Sequence, residues 1–202
     1  MTRSRRAVLA RTSGALAAVG TAVTAGCLDF TAGDGPQGPD ETPETLSCAD
    51  DGFVRLAAPF DDPVESRTVD RSPDGPRFEL STEGTSETYG SSLRLVLRNT
   101  GEGLAATAGE HAYSIQRRTA SGWEDVRGST TGAPVELPRV DHELDRNESY
   151  SWSLRLTEEA LAAAVPDREL DVCPPLGPGT HRFVYWGLVD APPVGIEFEL
   201  VG

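Results

Sequence analysis

The chain has 202 residues, 38% of them hydrophobic, and a mean hydropathy of −0.33, which allows one core of moderate size with appendages but no bundle of membrane-spanning helices. Its 18 cationic side chains are all Arg and face 32 acids, for a formal net charge of −14. A surface of that sign repels nucleic acid instead of neutralising its phosphates, so nucleic acid is excluded as a partner.

Residues 1–26 carry Arg3, Arg5, Arg6 and Arg11 and no acid, followed by a small apolar run from Gly14 to Gly26. This charged-then-apolar layout reads as an export signal, and the run is shorter than the ~20 apolar residues of a spanning helix. Within it, Ser4-Arg5-Arg6-Ala7-Val8-Leu9 resembles the twin-arginine export motif, which implies that Arg5 and Arg6 are read by a translocase for folded proteins. Val8 stands where that motif usually has Phe, and the ordinary secretory route is the alternative. Thr24-Ala25-Gly26-Cys27 resembles a lipobox, which implies cleavage before Cys27 and lipid on its sulfur. An ordinary small-residue cleavage site beside a Cys is the alternative.

Cleavage before Cys27 leaves 14 Arg and all 32 acids, a mature net charge of −18. Such an excess makes self-repulsion costly at low ionic strength. Together with the absence of Lys it resembles the proteins of halophilic archaea, which implies a fold suited to concentrated salt. Residues 27–47 comprise the lipidated Cys and a stretch rich in Gly, Pro, Thr and acid, expected as a disordered tether, with the domain proper at 48–202. With Cys27 taken by lipid, Cys48 and Cys173 form an even pair in an exported chain, and a disulfide between them is expected, closing 125 residues.

The first expected strands are short, at residues 53–56 and 77–80. At 93–98 three Leu lie on one face, with Arg94 and Arg98 on the other, before an Asn99-Thr100-Gly101 turn. Residues 111–118 follow, with Tyr113 and Ile115 inward. Over 149–156 every even position is apolar and every odd one polar; 181–188 puts Phe183 and Tyr185 inward, and Ile196, Phe198 and Leu200 alternate with Glu197 and Glu199. Period-two alternation predicts half-buried antiparallel strands with one wet face. Only residues 157–164 read as helical, with Thr157 as cap and Glu158 and Glu159 in the first turn. About seven short strands between Gly- and Pro-rich turns predict an all-β, antiparallel β-sandwich.

The run Leu93–Asn99, then Tyr113–Arg117, Gly122-Trp123-Glu124-Asp125-Val126, Leu144–Leu156, and Leu176-Gly177-Pro178-Gly179-Thr180-His181-Arg182-Phe183-Val184 resembles a bacterial-type immunoglobulin-like domain of secreted proteins and lipoproteins. Trp123 takes the family's turn aromatic, and Leu176-Gly177-Pro178-Gly179 its Leu-x-Pro-Gly turn. Arg146-Asn147 stands where an earlier turn of the family has Pro-Gly. The resemblance covers roughly residues 77–187 and implies an immunoglobulin-like sandwich; it says little about activity.

Chemistry-bearing residues are sparse. Asp141-His142-Glu143, with His111 and His181 elsewhere, offers nitrogen and oxygen donors, but neighbours on a strand point to opposite faces. Asp50-Asp51-Gly52 and Asp61-Asp62 lack the spacing of a calcium loop and read as solvated acids. The chain has no G-x-S-x-G elbow and no phosphate-binding Gly motif. Asn147-Glu148-Ser149 is a glycosylation acceptor tripeptide in an expected turn. Trp152 falls on the inward register, whereas Trp186 is the aromatic placed to make a contact. These residues point to no catalytic, cofactor or metal site. The expectation is a non-enzymatic protein anchored through Cys27 on the extracytoplasmic face of the cell membrane, whose domain binds another envelope protein or glycan. A lipoprotein capturing a sugar or metal for a transporter is the alternative.

Overall fold

In a computed structural model of the chain, the described residues are 35–61, 63–70 and 77–202, all within the unit Asp34–Gly202. Arg5, Arg6, Cys27 and residues 27–34 of the expected tether lie outside them.

Alternation in the sequence becomes the pleat of two facing sheets. The strands in chain order are β1 (Val54–Arg55), β2 (Glu65–Ser66), β3 (Thr68–Asp70), β4 (Arg77–Thr82), β5 (Ser86–Thr88), β6 (Ser92–Asn99), β7 (Ala105–Thr107) and β8 (Tyr113–Thr119). They continue as β9 (Gly122–Asp125), β10 (Arg127–Ser129), β11 (His142–Leu144), β12 (Ser149–Arg155), β13 (Asp171–Val172), β14 (Gly179–Tyr185) and β15 (Val194–Val201). Seven of them have four residues or more, and these build the sandwich. One sheet runs β12-β6-β4-β3; the other runs β2-β15-β14-β8-β9, with β5 also on β15.

All long pairs are antiparallel; β5 continues β4's course into the opposite sheet, where it and β2 lie parallel to the last strand. The four-stranded sheet facing one led by β8, β14 and β15, with the chain passing from one sheet to the other between β4 and β5, is the immunoglobulin-like sandwich arrangement. A second crossing falls at Arg67, between β2 and β3. There φ is 65°, the N–H donates to Gly195 O (3.1 Å) and the carbonyl accepts from Leu80 N (2.7 Å), so one residue joins the two sheets.

Leu80, Leu93, Leu95 and Leu97 from one sheet meet Tyr113, Ile115, Phe183 and Ile196 from the other, all at most 2% exposed. Each such side chain contributes about 1.5–3 kcal/mol of transfer free energy. The expectation of one wet face holds for β4, β6 and β12. It fails for β8 and β14, which are buried along nearly their whole length and on both faces. The expected helix forms as α1 (Glu158–Ala162), with Thr157 Oγ1 accepting from Ala160 N at 3.4 Å.

Residues 35–47 differ from the tether read in their composition. Gly38 N donates to Leu176 O, Arg117 Nη2 donates to Pro39 O and Glu41 O, and Ala120 N donates to Pro43 O. Leu46 is buried, and its N–H meets the Glu124 carboxylate. The packed chain therefore reaches back beyond Cys48, to Gly38 at least. Cys48 and Cys173 are disulfide-bonded, Cα atoms 5.6 Å apart, and tie this segment to the strand end after β13.

Candidate functional site

Five aromatic rings, Tyr113, Tyr150, Trp152, Phe183 and Tyr185, pack together with centroids 5.0–6.1 Å apart. Their apolar bodies fill the core, and three of their polar tips turn toward one end of the sandwich. Tyr185 Oη donates to Gly109 O (3.0 Å), Trp152 Nε1 to Glu110 O (2.9 Å), and Tyr150 Oη shares a hydrogen bond with Thr107 Oγ1 (2.8 Å). Burial pushes the phenols of Tyr150 and Tyr185 up, so both stay protonated as donors near neutral pH.

These bonds fix residues 107–110 as the floor of a cleft. Its wall is β11, paired to β7 with His142 opposite Thr107, and the stretch before it, where Val140 N donates to Ala108 O at 3.0 Å. Gly109 is required where wall and floor meet: φ is +86°, and a Cβ there would stand 2.9 Å from Val140 O. The cleft has a volume of about 400 Å³ and is lined by Glu110, His111, Pro138, Val140, His142 and Tyr150, among others. A shallower depression of about 550 Å³ adjoins it across His142, with Asp141, Glu143 and Val189 on its lining.

His111 and His142, far apart in sequence, thus share one cleft. His111 Nε2 lies 3.6 Å from Glu110 Oε1, while its Nδ1 is buried without a hydrogen-bond partner. The His142 ring is 5.7 Å from that of Tyr150. His181 is elsewhere: it is buried against Phe198, with Nδ1 2.9 Å from Gly179 O, and burial holds it down to about 4. Among the described residues, no three His, Cys, Asp or Glu side chains are grouped to hold a metal ion.

Two exposed apolar side chains flank His142, Val140 on the lining of the cleft and Val189 on that of the adjoining depression. Leu104, Val140 and Val189 are 56%, 65% and 45% exposed, three of four large hydrophobic side chains so exposed among the described residues. Val189 is brought there by its N–H bond to Ala106 O, whereas Leu104 precedes β7 and is on neither lining. The sequence shows each of them only as an isolated apolar residue in a loop.

The other singled-out residues have separate places. Asn147 is exposed at the β11–β12 turn with φ of 67°, its N–H donating to Asn99 O. Asp50 Oδ1 accepts from Gly52 N in an exposed turn, and Asp62 lies outside the described residues. Trp186 is partly buried under Arg139, whose guanidinium carbon is 5.0 Å from the ring centroid, and its Nε1 is buried without a hydrogen-bond partner. The guanidinium carbons of Arg182 and Arg118 lie 4.4 and 5.6 Å from the Trp123 ring centroid. The buried Asp125–Arg127 pair is a feature the sequence reading does not identify.

No protein-family model matches the chain, and no curated protein sequence does. Among solved structures, the beta-glucosidase from Listeria innocua in complex with glucose is 22% identical at a TM-score of 0.32, with 63% of this chain and 16% of the enzyme covered. The same enzyme in complex with isofagomine is 20% identical, again at a TM-score of 0.32 over the same shares. The chain spans about a sixth of that enzyme's length, and nothing of its activity is carried over to this chain.

Proposed function

We propose that this is an exported protein, anchored to the membrane by lipid on Cys27, whose immunoglobulin-like sandwich is a non-catalytic binding module of the envelope. The observation that carries the binding role is the pair of exposed apolar side chains Val140 and Val189, on the linings of an open cleft and of the depression beside it. Exposed apolar surface gathered at one place, with polar groups about it, marks interaction sites in soluble domains. Anchoring rests on the lipobox resemblance at Thr24-Ala25-Gly26-Cys27.

Detergent phase partition of wild type and Cys27→Ser tests the anchor. The wild type enters the detergent phase and the variant stays aqueous; equal partition overturns it. A photo-reactive residue at Val140 tests this surface, with one at exposed Thr85 as control. A discrete crosslinked species from position 140 alone supports the reading; none, or the same species from both, removes it. Capture of a metal for a transporter is a second reading, favoured by the meeting of His111 and His142 in the cleft. It requires saturable Zn²⁺ binding that His111→Ala/His142→Ala abolishes.

A further inference from the structure

The outward face of β4, β6 and β12 differs in charge from the described residues taken together. Its eleven outward positions hold four Arg, five Ser and a single acid, Glu79, in a chain with 32 acids to 18 Arg. Asp70 stands opposite Arg77 on β3, and Arg94 lies 3.4 Å from Glu83 at the end of the face. Arg98 stands opposite Glu79 in register, and Arg155 completes a face on which Arg outnumber acids within a strongly negative molecule.

β12 is also the edge of that sheet. Asn99 N donates to Glu148 O (3.0 Å) and Leu156 N to Ser91 O (2.9 Å), which turns the even-numbered residues of β12 toward β6. Ser149, Ser151 and Ser153 therefore direct their N–H and C=O groups away from the sheet, and among the described residues no strand pairs with them. An unpaired edge of this length is a template for an added strand.

We propose that β12 takes up an extended acidic segment of a partner protein as a further strand of this sheet. The open edge supplies main-chain hydrogen bonds, which a charged polysaccharide does not return in this pattern. Specificity comes from charge. An added strand lies ~5 Å from β12 and ~10 Å from β6, and Ser149 and Ser153 leave room for Arg98 and Arg94, their register partners, to reach over toward it. Arg155 sits on β12 itself, directly beside the incoming strand. A second copy of this chain paired edge to edge would bring two Arg-rich faces together, so charge disfavours it. The inference rests on the binding-module reading and gives it a second surface, apart from the cleft and the anchor.

The test uses the purified protein and a fluorescent nonapeptide alternating Glu and Val, with its Lys counterpart and dextran sulfate as further probes. The Glu peptide binds with at least tenfold preference over the Lys peptide, and hydrogen exchange slows at the Ser151 and Ser153 amides. Ser151→Pro removes an outward N–H without breaking the ladder to β6, and it weakens the Glu peptide at least tenfold. The triple variant Arg94→Ser/Arg98→Ser/Arg155→Ser changes exposed side chains only and does the same, which keeps the test decisive if the Pro variant misfolds. Absence of peptide binding, unchanged affinity in either folded variant, or dextran sulfate bound as tightly and equally by Ser151→Pro overturns the inference. So does self-association that Ser151→Pro abolishes. None of these outcomes alters the detergent partition or the crosslinking at Val140, so failure here is separable from failure of the binding-module reading.

Discussion

Arg127 and Asp125 form an ion pair in which neither side chain is more than 1% exposed, Nε 3.1 Å from Oδ1. The pair sits where β9 passes into β10. Asp125 also accepts from the backbone N–H groups of Arg127 (2.9 Å) and Ile115 (3.3 Å), and Arg127 Nη2 donates to Tyr113 O at 2.9 Å. The pair thereby fixes the bend that carries the chain from the large sheet to the small sheet β1-β10-β13.

Removing one partner strands the other charge in the core, so Arg127→Met lowers stability by roughly 3–5 kcal/mol. Denaturant unfolding measures it, and a loss below about 1 kcal/mol contradicts the structural role given to the pair.

The Cys48–Cys173 bond closes a loop of 125 residues, for which the chain-entropy relation gives on the order of 4–5 kcal/mol of stabilisation. Reduction, or Cys48→Ser/Cys173→Ser, lowers the unfolding free energy by that order. It also loosens residues 38–46, whose backbone hydrogen bonds run beside Cys48, and faster hydrogen exchange there reports it. An unchanged midpoint after reduction contradicts the bond's contribution.

His181 is held down to about 4 by burial against Phe198, below its ordinary 6.5. The unfolded chain therefore binds a proton between those values that the folded chain refuses, and stability falls as pH drops from 6.5 toward 4. The full effect is on the order of 3 kcal/mol. Stability curves of wild type and His181→Phe over that range check it: the variant has the shallower acid slope, and equal slopes refute the assignment.

With 32 acids and 14 Arg in a chain that begins at Cys27, repulsion within the fold weakens as the Debye length falls from ~10 Å at 0.1 M salt to ~3 Å at 1 M. The melting midpoint of the mature chain rises over that range. A flat midpoint removes the salt-adapted reading.

Gly109→Ala places a Cβ 2.9 Å from Val140 O at a φ of +86°. It costs on the order of 1–3 kcal/mol and shifts the amide resonances of residues 140–142, which report the shape of the cleft. Unperturbed resonances there contradict the tight contact between its floor and wall.

The long strands were legible because their side chains alternate against one core: β6, β12 and β15 carry the period in residue after residue. Short strands such as β7, β10, β11 and β13 carry too few residues to show a period, and their partners are set by tertiary pairing. Residues 35–47 read as a tether because Gly, Pro and acids lack an apolar face. They dock largely through backbone groups that Arg117 and Arg55 reach, which leaves little signature in composition. The cleft was hidden for a related reason. His111 and His142 become neighbours only through the β7–β11 pairing, and the Arg- and Ser-lined face of β12 appears only when three separate strands are laid side by side.

The most direct test of the account is the intact mass of the protein taken from its native membrane, with and without reduction. It predicts a chain that begins at lipid-modified Cys27 and is lighter by the two hydrogens of one disulfide before reduction. A chain that retains residues 1–26, or one cleaved there without lipid, contradicts the anchored reading.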